Sequence, residues 1–230
     1  MTSAMLAAYP DVFAGGAIIA GLPYGTAATV PEAFDRMRAH GGPPAEALGA
    51  LVTAASPHPG PWPTISVWHG DADATVSHAN SALIVEQWRA VHGVEREPTV
   101  VETVNGHARQ VWRDVHGREV IEEYRIAGLA HGTPLSTAGP DACGSAAPYM
   151  LEAGISSTRR IADFWDLAGK ADGLPRGEPG GTAEPASTLS HSAIIDLPHE
   201  DAGRNPHAKP MAGSVGRVIE DALRAAGLMR

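Results

Sequence analysis

At 230 residues, with 43% hydrophobic and 19% charged, the chain is long enough for one sizeable α/β domain, too short for two comfortable ones, and too apolar to be wholly disordered. A formal charge of -9, from 26 acidic against 17 basic side chains, argues against a nucleic-acid surface, which needs clustered Lys and Arg. The longest apolar stretch, Phe13 to Pro23, is well short of the ~20 residues a membrane helix requires, and the lone Cys143 has no intrachain disulfide partner and reads as a small buried side chain.

The opening MTSAMLAAYPDVF has no basic n-region and no extended apolar h-region, so it does not read as a signal peptide. Its Met1, Met5, Leu6 and Ala8 lie close to helical spacing, stopped by Tyr9-Pro10-Asp11. FAGGAIIAG, Phe13 to Gly21, is a continuous small-apolar run that predicts a strand buried on both faces of a parallel sheet. Residues 22–63 are rich in Gly, Pro and Ala, with helices expected at Pro31–Ala39 and Ala45–Ala54, and read as a cap-like excursion. Thr64 to Trp68 predicts the next strand, HGDADATV an acidic loop, and His78 to about Val91 an amphipathic helix. Thr99 to Val104 reads as a strand, and Arg109–Val115 with Val120–Ile126 flank His116-Gly117-Arg118 as a hairpin. Ile155 to Leu167 is the last packed helix expected of the domain; 169–210 reads as a flexible Gly/Pro-rich linker and 211–230 as a C-terminal amphipathic helix. Strands alternating with helices in this way make an α/β fold with a mostly parallel sheet.

Two windows carry chemistry. HGDADATV, residues 69–76, places acids on the loop after a strand, which suits a carboxylate that orients a histidine. The window also reads as an Asp-rich turn capping the helix at His78, or as metal ligands His69, Asp71, Asp73 and His78, although no further ligands announce themselves. GLAHGTPL, residues 128–135, puts His131 between small residues and ahead of a proline, so the imidazole can project from a tight turn. Its order after the acid, each on its own strand-end loop, matches the Ser, Asp, His order of α/β-hydrolases. No G-x-S-x-G nucleophile turn occurs in the 230 residues. Ser3 has no flanking glycines and reads as an ordinary helix serine, while Ser136, Ser145, Ser156 and Ser157 sit near turns or a helix start, where hydroxyls satisfy backbone groups. Trp62, Trp68, Trp112 and Tyr24 could line an acyl pocket, but large aromatics are more often core, Trp68 above all.

The blocks MLAAYPDVFAGGAIIAGLPYG, WHGDADATV, the hairpin leading to YRIAGLAHGTPL, and APYMLEAGISSTRRIADFW, in this order over residues 1–168, resemble the polyhydroxybutyrate-depolymerase-type esterases of the α/β-hydrolase superfamily. In such enzymes the acid lies three residues after the glycine of an HG pair and three before a valine; Gly70, Asp73 and Val76 have that spacing, which makes Asp73 the acid and Asp71 a turn-former.

The resemblance implies a Ser-His-Asp esterase with Asp73 as acid and His131 as base. It implies that 1–168 is the later part of the catalytic domain, with the nucleophilic serine, oxyanion hole and first strands expected before residue 1. Polyhydroxyalkanoates or small carboxylic esters are the implied substrates, with feruloyl or acetylxylan esters as the alternative. No cofactor, metal or nucleic-acid partner is implied, and export is expected for the complete protein. A chain without the serine would be catalytically silent, and its uncovered sheet edge would offer a surface for self-association.

Overall fold

The computed structural model describes residues 1–167, so the linker expected at 169–210 and the helix at 211–230 lie outside the described residues. In chain order the elements are α1 (Thr2–Ala8), β1 (Gly15–Ile19), α2 (Val30–Met37), α3 (Ala45–Thr53), β2 (Thr64–Gly70), α4 (Ala79–His92), β3 (Val100–Val104), β4 (His107–Arg113), β5 (Glu119–Ile126), β6 (Thr133–Leu135), β7 (Met150–Glu152) and α5 (Ser157–Phe164). The main sheet has the order β1-β2-β5-β4-β3. β1, β2 and β5 run parallel, and β4 is antiparallel to both β5 and β3, so the sheet is mixed.

Period-two alternation sends the sheet's side chains to two cores. Ile65 and Val67 of β2 join Leu6 of α1 and Ile84, Val85 and Trp88 of α4 on one side. Trp68 and Tyr124, stacked with ring centroids 3.9 Å apart, join Ile126, Leu129 and Ile155 on the other, with Ile161 of α5 against them. β1 departs from the expected strand buried on both faces. It sits at the end of the sheet, and only Gly16 and Ile18 are buried while the alternate residues are half-exposed. Cys143 is likewise only partly buried; its N–H donates to Ser136 O in an isolated bridge.

Two buried amides of α4 tether the segment between β1 and β2. The Gln87 side chain accepts from Tyr24 N–H and donates to Tyr24 O and Leu48 O at 2.8 to 3.0 Å. Asn80 Nδ2 donates to Arg36 O at 3.0 Å. Polar side chains at these positions satisfy backbone groups of a loop-rich region that could not otherwise be buried without cost. α2 has a complete capping box, Thr29 with Glu32, which fixes its start at Val30.

The hairpin forms where His116-Gly117-Arg118 predicts it. The Asp114 carboxylate accepts from the His116 and Arg118 N–H groups and pairs with the Arg118 guanidinium. The small parallel pair β6-β7 has no counterpart among the expected strands. It matters for the site because it carries the chain away from His131.

Candidate active site

Of the three parallel strands, β2 and β5 end in register, Gly70 with Ile126, and β1 ends two residues short of them, Ile19 level with Trp68. The carboxyl ends of parallel strands are where α/β sheets place their ligands. The loops that follow all emerge there. A cavity of about 650 Å³ at this end is lined by the first turn of α1, by Ala20 to Gly25 after β1, by Val76 from the acidic loop and by His131.

Asp73 and His131, 58 residues apart, meet in a hydrogen bond of 2.8 Å between His131 Nδ1 and Asp73 Oδ2. A carboxylate only accepts, so Nδ1 carries the proton and donates. Nε2 has no hydrogen-bond partner among the described residues. The Asp73 carboxylate is fully buried, whereas the His131 side chain is 31% exposed. Burial of the charge is compensated by two backbone donors, Thr75 N–H and Val76 N–H, each 2.8 Å from Asp73 Oδ1. The tight loop is therefore an Asx-type turn whose second carboxylate oxygen is left for His131. It does not cap α4, whose N-cap residue is His78 with no side-chain cap bond.

The other residues of the window hold this geometry. His69 is buried; its Nε2 donates to Val76 O at 2.9 Å and lies 3.4 Å from Asp73 Oδ2. Burial pushes its imidazole below the usual histidine range, and its Nδ1 has no hydrogen-bond partner among the described residues. Asp71 Oδ1 accepts from Gly128 N–H at 2.6 Å, and Ala72 N–H donates to Leu129 O at 3.2 Å. These bonds stitch the acidic loop to the histidine loop. From the far side, His107 accepts from Ala127 N–H at Nδ1 and donates to Ala153 O through Nε2, anchoring the chain four residues before His131. His107 does not stand out by spacing, because it acts through backbone groups 20 and 46 residues away, whereas His69 holds a carbonyl of its own window seven residues on.

Of the four candidate ligands in the acidic window only His69 and Asp73 approach each other, at 3.4 Å. Among the described residues no group of three or more His, Cys, Asp or Glu side chains is placed to hold a metal ion. The serines singled out by sequence serve backbone groups: Ser3 Oγ donates to Leu22 O, Ser136 to Ala138 O and Ser157 to Pro134 O, and Ser156 caps α5. Ser145 is exposed. Of the aromatics, Tyr24 lines the cavity beside His131; Trp68 and Trp112 are core, and Trp62 lines a different hollow with His92 and His116.

No family model matches the chain. Poly(3-hydroxyalkanoate) depolymerase C of Paucimonas lemoignei is 40% identical over 171 residues, which is 74% of this chain and 41% of that protein. The chain belongs to the polyhydroxyalkanoate-depolymerase-like family of the α/β-hydrolase superfamily. Relatives of this depolymerase-like chain include an acetylxylan esterase of Coprinopsis cinerea, 35% identical over 142 residues that make up 59% of this chain and 37% of that enzyme. Among solved structures, a PHB depolymerase complexed with an R3HB trimer aligns with TM-score 0.48 and 18% identity, over 74% of this chain and 48% of that one. The depolymerase-like chain thus spans less than half the length of these relatives.

Proposed function

We propose that residues 1–167 supply the acid and base of a Ser-His-Asp ester hydrolase acting on hydroxyalkanoate esters, the serine and oxyanion donors coming from sequence outside these 230 residues. The observation that carries this reading is the 2.8 Å bond from His131 Nδ1 to the buried Asp73 carboxylate, at a cavity on the carboxyl ends of parallel strands.

In the proposed reaction, His131 Nε2 takes the proton from the attacking serine hydroxyl and the hydroxyl oxygen adds to the ester carbonyl. As the tetrahedral adduct collapses, Nε2 returns that proton to the departing alcohol, leaving an acyl-serine that water then cleaves by the same proton route. Asp73 holds the Nδ1–H tautomer and offsets the imidazolium charge without itself being protonated. The first turn of α1 lines the cavity with His131, which supports a nucleophile presented at that helix's leading end.

The test is hydrolysis by a chain extended at its N-terminus with a G-x-S-x-G-bearing segment, assayed on 3-hydroxybutyrate oligomers. The extended chain is expected to cleave them and to lose at least about 10³-fold on His131→Ala. Cleavage that survives His131→Ala contradicts the reading. Acetylxylan or feruloyl esters as preferred substrates are a second reading, supported by the Coprinopsis cinerea relative, and the same assay ranks them. A third, non-catalytic reading treats the chain as a binding module. It is supported by β1, which ends the sheet with no strand on its far side among the described residues. Hydrolysis by the extended chain rules it out.

A further inference from the structure

We propose that Tyr149 is a positioning residue for His131, its ring packed edge-on against the imidazole to keep Nδ1 on Asp73 and shield that bond from water; this rests on the acid–base reading above. Tyr149 occupies an unfavourable backbone site. Ala147 and Met150 exchange backbone hydrogen bonds of 3.1 and 2.9 Å, which closes a four-residue turn with Pro148 second and Tyr149 third. Tyr149 has φ 64°, the conformation that the third position of a type II turn demands and that glycine or asparagine normally fills. A bulky side chain there is strained, and strain of this kind is retained where the side chain is needed.

The surroundings aim that side chain. Thr133 N–H, two residues after His131, donates to Tyr149 O at 2.7 Å, and Thr133 pairs with Met150 in the β6-β7 ladder. Gly132 permits the approach: a Cβ there would lie 2.7 Å from Tyr149 O. With the two backbones locked together, the Tyr149 and His131 ring centroids stand 6.2 Å apart at 79°, an edge-to-face pair. Tyr149 is nevertheless 52% exposed. It buries too little of itself to be explained as core, while the imidazole beside it has an Nε2 with no hydrogen-bond partner among the described residues.

The experiment uses the 230-residue chain and follows the His131 Nδ1 proton by ¹⁵N-edited NMR, reading its exchange with water and the tautomer. Tyr149→Phe is expected to match the parent. Tyr149→Gly, which relieves the backbone, is expected to melt no lower than the parent yet exchange the proton about tenfold faster, the rate equivalent of one aromatic pair. Tyr149→Asn, also at home at positive φ, is expected to behave as the glycine variant does. Unchanged exchange in both variants overturns the proposal, as does faster exchange that appears only together with a lowered melting temperature. Asp73→Asn separates the two levels of inference: if it leaves the His131 proton unaltered, the acid–base pair itself fails, whatever Tyr149 does.

Discussion

Gly70 is the point at which the acidic loop and the histidine loop cross. A Cβ there would sit 2.1 Å from Leu129 O, the same carbonyl that accepts Ala72 N–H. Backbone cannot yield to a methyl group at that distance, so Gly70→Ala must push the two loops apart. The variant is expected to lose about 1–3 kcal/mol in urea unfolding, in the range of other overpacked sites, and to weaken the His131 Nδ1–H signal; an unaltered midpoint and signal would contradict this account of the crossing. The spacing of Gly70, Asp73 and Val76 was legible in the sequence, and the fold brings Asp73 to His131. Why the glycine is there was not legible, because its reason is a carbonyl 59 residues onward. His69 was noticed only as a candidate metal ligand, and its bond to Val76 O is seen only once the loop is folded; Tyr149 escaped notice because a tyrosine in a turn acquires its meaning only from the tertiary contacts that reach it.

At the scale of elements, the helices, the hairpin and the strands of the main sheet follow from periodicity and turn residues to within a few positions. β6 and β7 do not, since three-residue strands, one containing Pro134, are too short for any alternation to register. The apolar run of β1 says that a strand forms and not which neighbours it has; its place at the end of the sheet accords with the uncovered edge that the family resemblance implied and not with the two-faced burial that the run itself suggested. α4 illustrates a property that depends on where an element ends. His92 closes it, and its Nε2 donates to Pro63 O just before β2. Burial holds this imidazole at about 4 against an ordinary 6.5, with Asp114 opposing the shift and Arg118 adding to it. As pH falls from 6.5 toward 4 the unfolded chain takes up a proton that the folded chain refuses, so the stability present above 6.5 is progressively lost. His69, lowered by burial too, adds in the same direction. Melting across this window is expected to lose on the order of 1–3 kcal/mol from His92, and His92→Gln, which keeps a donor for Pro63, is expected to flatten the slope. An equal slope in the variant would place the acid sensitivity elsewhere.

For the molecule as a whole, three parallel strands deliver one loop each to a common cavity, and two of those loops carry Asp73 and His131, already joined by a hydrogen bond. The excursion tethered by Gln87 and Asn80 supplies the remaining wall through Leu22, Pro23, Tyr24 and Met37. The central claim is that this arrangement awaits a serine supplied from beyond the 230 residues. Labelling with a fluorophosphonate tests it most directly. The 230-residue chain is expected to take no label, whereas the chain extended with a G-x-S-x-G segment takes one label at the added serine and loses it on Asp73→Asn or His131→Ala. Stoichiometric labelling of the 230-residue chain that disappears on His131→Ala would contradict the claim.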